Sequence, residues 1–313
     1  MGRVLLLGAT GFIGRHVQRE FTATRPVDEL VCVARADHAD GDPLQVVRWR
    51  ALDLVAASRQ AIVDLVRDVR PSAVVNCAGV TDGDLEAQIV GNVLLVGRLL
   101  DALRDAAPAI RFVHVASAAE YGASTGKSAV DEESPTEPIT PYGVAKLAAS
   151  QLVLAARRTA GGDGIVLRLF NPIGAGMSQG SLPGHAAAAM RDALAGGSPV
   201  RLGPLDAYRD FVDVRDVSRA IVAAAIAPSI GSPVLNVGRG EAVQARWLVR
   251  ELARIARYGG PIEEVEDPGS PRSQAIRWQA ASIDRIREAL GWQPRFTLHE
   301  ALGELWSAVI GSP

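Results

Sequence analysis

Tyr142 and Lys146 stand four residues apart in Pro141-Tyr142-Gly143-Val144-Ala145-Lys146. On a helix that spacing puts both side chains on one face, about one turn apart. An ammonium beside a phenol favours the phenolate and lowers a pKa that starts at about 10. A tyrosine so placed can act as a general acid or base near neutral pH. The chain has four tyrosines and only two lysines, Lys127 and Lys146, so chance pairing at this spacing is improbable. The plainer reading is an exposed pair on a helix face. A third group stands ready in Ser117, which closes the apolar run Val113-His114-Val115-Ala116-Ser117. Open α/β sheets place their ligands at the carboxyl ends of strands. A serine hydroxyl there can hold a substrate carbonyl against Tyr142, although it could also merely cap a turn. The candidate catalytic set is therefore Ser117, Tyr142 and Lys146.

A second feature stands at the first turn of the chain. Gly8-Ala9-Thr10-Gly11-Phe12-Ile13-Gly14 follows the apolar run Val4–Leu7 and leads into a helical pattern. The first glycine permits the tight turn, the second lets backbone approach a diphosphate, and the third lets helix pack on strand. The helix amino terminus then faces the negative charge. Gly8, Thr10, Gly11, Phe12, Ile13 and Gly14 are expected to bind a dinucleotide. The end of the second strand selects which one. Leu30-Val31-Cys32-Val33 runs into Ala34-Arg35, and Arg15 follows the third glycine. Arginine suits a 2′-phosphate, whereas a carboxylate suits a free ribose. Arg35 and Arg15 point to NADP. The alternative is NAD, with Asp37 on the ribose and Arg35 solvated.

The elements that must position these residues alternate. Strand-like runs lie at Arg3–Leu7, Leu30–Ala34, Leu44–Trp49, Ala73–Cys77, Arg111–Ala116 and Gly164–Leu169. Helical patterns lie near Ile13–Thr22, Ser58–Val69, Leu85–Ala106 and Tyr142–Thr159. Alternation of this kind predicts an α/β fold, a Rossmann-type doubly wound parallel sheet. Several runs are apolar without a break, as strands covered on both faces require. Leu85, Ile89, Val93, Val96, Leu100 and Leu103 are expected on one buried stripe of a single helix. Asn92 on that helix reads as structural. After Asn171 the texture turns to loops rich in Gly and Pro, with short helices at Leu182–Ala195, Val217–Ala227, Ala245–Tyr258, Ser282–Leu290 and Leu298–Ile310. The expected division is a dinucleotide-binding domain over 1–170 and a smaller α/β substrate domain over 171–313. Segments near 211–237 and 276–290 are expected to return to the first.

Composition narrows the rest. The 313 residues carry net charge −2, with 48% hydrophobic and 22% charged residues, which is ordinary globular composition and gives no electrostatic case for nucleic acid. Two cysteines, Cys32 and Cys77, lie in apolar runs without a CxxC partner, and the five histidines lack ligand spacing, so no metal site is expected. No apolar run approaches the roughly 18–20 residues of a membrane span. Val4–Leu7 leads straight into the glycine turn, so no secretory leader is expected and a cytoplasmic protein is the default.

Taken together, Gly8–Gly14, Asn76-Cys77-Ala78-Gly79, Ser117 with Tyr121-Gly122, and Tyr142–Lys146 resemble an extended short-chain dehydrogenase/reductase. This is the NAD(P)-dependent nucleotide-sugar epimerase/dehydratase/reductase family. The likeness continues through Arg168–Pro172, Arg209–Asp216, Leu235–Gly238 and Leu290–Pro294. Within the family the chain is most similar to the GDP-4-keto-6-deoxymannose reductases, through Glu120-Tyr121-Gly122, Ser134–Lys146, Phe170–Gly174 and Arg272. The resemblance implies that Tyr142 donates a proton, that Lys146 also binds the nicotinamide ribose, and that Ser117 holds the keto oxygen. It implies Asp53 and Leu54 at the adenine, and Ala78 and Gly79 lining the cofactor. It further implies Ser117, Glu120 and Asn171 at the sugar, with Arg209 and Arg272 on the nucleotide diphosphate. The expected partner is thus a nucleotide-diphosphate sugar, and the family's habit of pairing two helices predicts a homodimer.

The family's dehydratases carry a titratable pair directly after the serine or threonine. Here those positions are Ala118 and Ala119. Its epimerases hold NAD and usually carry a carboxylate where this chain has Arg35. A non-catalytic cofactor sensor would be expected to lack part of the triad. The expected reaction is therefore NADPH-dependent reduction of the 4-keto group of a nucleotide-linked 4-keto-6-deoxyhexose. A 4-epimerase with tightly held NAD is the alternative.

Overall fold

A computed structural model describes residues 2–36, 47–107, 109–123, 126–265 and 276–311. Seven strands form the large sheet: β1 (Arg3–Leu7), β2 (Glu29–Ala34), β3 (Val47–Ala51), β4 (Ala73–Asn76), β5 (Arg111–Ser117), β6 (Asp163–Leu169) and β10 (Val234–Val237). All their pairings are parallel, in the order β10-β6-β5-β4-β1-β2-β3. Side chains along β1 alternate between two cores. Val4 and Leu6 pack with Cys32, Val75 and Val113 on one face. Leu5 and Leu7 pack with Val31, Val33 and Val74 on the other. Burial on both faces is why these strands are apolar without interruption. The third strand begins at Val47 and runs to Ala51, past the expected end at Trp49, because its pairing with Leu30–Ala34 continues that far.

Helices cover both faces. α1 (Phe12–Thr24) packs with α7 (Val214–Ile226) on one side. On the other, α2 (Arg59–Val69), α4 (Leu95–Ala106) and α5 (Pro141–Ala160) lie side by side. The expected single helix over 85–106 is instead α3 (Leu85–Gln88), a π-helical segment (Ile89–Leu94) and α4. Asn92 explains the break. Its Nδ2 donates to the carbonyls of Gln88 (3.0 Å) and Val80 (2.9 Å), and its Oδ1 accepts from the Val80 amide (3.2 Å). A side chain that occupies its own i−4 carbonyl competes with the helical bond, and the turn widens. The apolar stripe therefore breaks: Leu85 and Ile89 face outward while Val96, Leu99 and Leu103 are buried.

From β1 the chain winds outward through β2 and β3, then crosses back to β4 on the opposite side. The crevice outside the carboxyl ends of β1 and β4 is the point where strand order reverses, which is where such sheets bind ligands. The remaining strands build a smaller layer above it. β9 (Tyr208–Asp213) pairs with β7 (Asn171–Ile173), β11 (Ala242–Gln244) and β13 (Trp278–Gln279), and β8 (Val200–Leu202) pairs with β12 (Ile262–Glu264). α6 (Leu182–Leu194), α8 (Ala245–Ala256) and α10 (Leu298–Ile310) enclose a third core with Ile173, Met190, Leu248, Leu252 and Leu302. The chain returns to the large sheet at α7 and β10, and α9 (Asp284–Leu290) packs against β10. Residues 211–213 and 278–279, by contrast, are strands of the smaller sheet.

Candidate active site

The carboxyl end of β5 and the first turns of α5 form the centre of the site. Thr140 caps α5, its Oγ1 accepting from the Gly143 amide at 3.1 Å, and Pro141 occupies the first helical position. Tyr142 is thus fixed in the opening turn, where the helix dipole favours negative charge. Gly143 lies so close to the β5 exit that a Cβ there would meet the Ala119 carbonyl oxygen at 2.6 Å. Lys146, one turn on, is buried, and its Nζ donates to the Val115 carbonyl at 2.5 Å. Ser117 is half-buried and its Oγ accepts from the Ala119 amide at 3.2 Å. The turn-capping role expected as an alternative for Ser117 is therefore present, and the oxygen's lone pairs leave room for a second interaction. Tyr142 is half-buried. Tyr121 lies three residues past Ser117's neighbour Ala118, but its phenol donates to Asn236 Oδ1 at 2.6 Å and burial pushes its pKa up to about 12. It is a structural phenol and not a proton source.

The glycine turn packs against the backbone at the end of β4. Gly8 has φ +71°, and a Cβ on it would meet the Ala78 amide nitrogen at 2.6 Å; one on Gly14 would meet the Gly8 carbonyl at 2.1 Å. Only glycine permits this approach of backbone to backbone. α1 has no side-chain cap at Gly11 and no acidic residue in its first turn. Its first amides, those of Phe12, Ile13 and Gly14, are left to an external acceptor, and a diphosphate is the acceptor such a cradle fits. Thr10 is exposed beside it. On the β4 side Asn76 Oδ1 accepts from the Ala78 amide at 3.1 Å and holds the Ala78-Gly79 wall. A Cβ on Gly79 would stand 2.8 Å from Asn92 Oδ1 and 4.0 Å from Lys146 Nζ, so this wall also adjoins the lysine. Arg15 and Arg35 are exposed, and among the described residues neither is hydrogen-bonded to a carboxylate. Asp37 lies outside the described residues. Asp53 is exposed and caps its own turn, accepting from Val55 (3.0 Å) and Ala56 (3.4 Å), while Leu54 is buried in the core.

The proposed substrate residues separate. Asn171 opens β7, and its Nδ2 donates to the Asp210 carbonyl at 2.7 Å. Arg209 is half-buried on β9, bonded to the Tyr208 carbonyl at 2.8 Å and to no carboxylate among the described residues. Burial lowers its pKa to about 10. Arg272 lies outside the described residues. Glu120 is not available to substrate, contrary to expectation. It is 0% exposed and paired with Arg168 of β6 at 2.9 Å. Sequence reasoning also passed over Ser150, which continues the i, i+4 series of Tyr142 and Lys146 and was legible by that spacing.

Burial governs the other titratable groups near the sheet. Burial pushes the thiols of Cys32 and Cys77 up to about 12, which argues against thiolate chemistry. His114 is buried against Asn76 (3.3 Å), and desolvation holds its pKa well below the usual value. Among the described residues no cluster of His, Cys, Asp or Glu could hold a metal ion, and no helix is long and apolar enough to cross a membrane.

The NAD dependent epimerase/dehydratase family matches residues 4–238. The chain is 38% identical to a dTDP-6-deoxy-L-talose 4-dehydrogenase (NAD(P)(+)) of Kitasatospora kifunensis, covering 99% of this chain and 96% of that one. It is 30% identical to a GDP-6-deoxy-D-mannose reductase of Pseudomonas aeruginosa, covering 97% and 96%. The structure of RMD from Pseudomonas aeruginosa complexed with NADPH superposes with a TM-score of 0.82 at 27% identity, covering 99% of this chain and 97% of that one. With its glycine cradle, its tyrosine and lysine on one helical face and these relatives along its whole length, the chain belongs to the NAD dependent epimerase/dehydratase family, as an NAD(P)-dependent enzyme of the extended short-chain dehydrogenase/reductase type.

Proposed function

We propose that this protein reduces the 4-keto group of a nucleotide-linked 4-keto-6-deoxyhexose at the expense of NADPH. The observation that carries the reading is the chemistry immediately after Ser117. Ala118 and Ala119 cannot exchange protons, and the next carboxylate, Glu120, is buried in an ion pair. Elimination of water needs a further acid and base; reduction needs only the proton that Tyr142 can give. Bound reduced nicotinamide supplies the hydride. Tyr142 delivers a proton to the carbonyl oxygen as that oxygen gains charge, and Ser117 Oγ holds the same oxygen. The Lys146 ammonium stabilises the phenolate left on Tyr142 until solvent returns a proton. Asn171 contacts the sugar, and Arg209, with Arg272, holds the diphosphate, for which a fork of N–H donors is suited.

Arg35 and Arg15 favour NADP through a 2′-phosphate. The test is oxidation of NADPH and of NADH, followed spectrophotometrically, with GDP- and dTDP-linked 4-keto-6-deoxyhexoses. NADPH is expected to be the better reductant, and Arg35→Ser to raise its KM roughly 10-fold while sparing NADH, since one charge-assisted phosphate contact is lost. Interconversion of C4 epimers without net cofactor oxidation would support the 4-epimerase instead. Two thiols free of disulfides suit a reducing compartment, and we place the reaction in the cytoplasm.

We also propose that the working form is a homodimer. Val144 (53% exposed) and Leu152 (38% exposed) lie on α5 two turns apart, on the side away from Tyr142 and Lys146. Beside them a groove between α4 and α5 is lined by Leu100, Leu103 and Phe112. Two exposed apolar side chains on α5 beside an apolar groove suit a second copy of the chain. Light scattering at micromolar concentration is expected to give twice the 33.0 kDa chain mass. Val144→Glu with Leu152→Glu is expected to return it to the single mass, and a monomeric parent protein would refute the proposal.

A further inference from the structure

Glu120 is fully buried, and among the residues assigned to ligand binding its carboxylate is hydrogen-bonded to the Ser117 amide. Its carboxylate meets three elements. Oε1 accepts from the Ser117 amide at 3.4 Å and from Ser150 Oγ at 2.8 Å; Oε2 accepts from Arg168 Nε at 2.9 Å. Ser117 ends β5, Ser150 is on α5, and Arg168 is on β6. Tyr142, Lys146 and Ser150 recur every four residues, so they form one stripe on α5. One carboxylate therefore ties the strand end that carries the serine to the helix face that carries the tyrosine and lysine. Arg168 is anchored in turn, its guanidinium lying 4.6 Å from the centre of the Tyr121 ring.

Buried ion pairs gain little net stability over apolar packing, because both charges must be stripped of water. What such a pair does enforce is geometry, since any displacement leaves a charge unpaired in a dry interior. Proton transfer from a phenol to a carbonyl held by a hydroxyl demands that geometry, because small misplacements of reacting groups carry large rate penalties. We infer that Glu120, braced by Arg168, is the positioning residue that sets α5 against the end of β5 and so fixes Tyr142 and Lys146 relative to Ser117. It touches neither substrate nor cofactor. The inference rests on the triad assigned under the proposed function.

Ser150 allows a gentle test, because serine-to-alanine in a helix disturbs no packing and leaves the Glu120–Arg168 pair in place. Ser150→Ala is expected to lower kcat for NADPH-dependent reduction of the 4-keto sugar nucleotide roughly 5- to 10-fold, the net worth of one intramolecular hydrogen bond. KM for sugar and for NADPH should stay within about twofold. Ser150→Thr keeps the hydroxyl and should restore kcat to within about twofold of the parent. Glu120→Gln, which keeps an acceptor oxygen but loses the ion pair, should fall further than Ser150→Ala, again in kcat. A Ser150→Ala enzyme with parental kcat would overturn the inference, as would a loss carried wholly in KM or a Ser150→Thr enzyme no better than alanine.

Hydrogen exchange reads the same tie without turnover. In Ser150→Ala, faster exchange confined to residues 117–121 and 142–150 supports the inference, and unchanged exchange there refutes it. If the parent protein reduces none of the sugars, the proposed reaction fails, and the exchange result alone judges the role of Glu120.

Discussion

Tyr142→Phe should lower kcat roughly a thousandfold, the order expected when the general acid is removed. Phenylalanine keeps the ring's packing at the start of α5 and leaves the Lys146 bond to the Val115 carbonyl in place. The glycine cradle at Gly8–Gly14, packed on the Ala78 backbone, is not altered by the change. NADPH affinity, read by the fluorescence of the bound reduced cofactor, should therefore remain within about threefold, since no phosphate contact is altered. Tyr121→Phe is the matched control. It loses the hydrogen bond to Asn236 Oδ1 and so costs stability, on the order of 1 kcal/mol, with kcat little changed. A Tyr142→Phe enzyme with full activity would remove the tyrosine from the mechanism, and equal losses in the two variants would point to packing instead.

Asp210→Ala carries the largest stability loss, about 3–5 kcal/mol by the usual cost of stranding buried donors. The Asp210 carboxylate is completely buried and accepts from the amides of Arg239 (2.7 Å), Gly240 (2.9 Å) and Ala281 (3.0 Å). It ties two distant segments, residues 239–240 and Ala281, to β9, the strand that carries Arg209. Alanine leaves those amides dry and unpaired. Against a total of about 5–15 kcal/mol for an ordinary domain, that is a large fraction. The urea midpoint measures it. The loss should reach the site as well, because the Asp210 carbonyl accepts from Asn171 Nδ2.

Burial outweighs the three amide donors at Asp210 and raises its pKa to about 6. Its unfolded value is near 3.9. Between those two values the folded protein binds more protons at this group, so the stability it contributes falls as pH rises through the window. Asp210→Asn has no such titration. The difference in stability between the parent and Asp210→Asn should therefore shift against the parent from pH 4 to pH 6.5. A difference that is flat with pH would show that the amides hold the carboxylate ionised throughout.

Much of the site could be read from local pattern because its parts are local. The glycine spacing, the tyrosine and lysine one turn apart, and a serine closing an apolar run are short-range features with direct geometric meaning. The two-faced burial of β1 was equally readable from four apolar residues in a row. What failed were readings that needed a neighbour from elsewhere in the chain. The helix over 85–106 has a continuous apolar pattern, but Asn92 reaches the Val80 backbone and widens the turn. Glu120 follows a candidate catalytic serine and resembles a sugar ligand until β6 brings Arg168 to it. Arg35 and Arg209 could be recognised as cations, while the absence of a carboxylate partner for either among the described residues is a property of the folded surroundings.

The amino-acid sequence by itself determined the α/β class and the glycine turn, and it supplied the acid, ammonium neighbour and hydroxyl of the proposed mechanism. These follow from residue type and separations of a few positions, which backbone geometry converts directly into shared faces and strand ends. Only the tertiary structure decided which charges are buried, which are paired and which remain open to a ligand. Burial and pairing are set by segments tens of residues apart, Glu120 with Ser150 and Arg168, Asp210 with Arg239 and Ala281. A carboxylate in water and a carboxylate in a dry ion pair are the same residue with opposite roles, and desolvation by the assembled fold is what separates them.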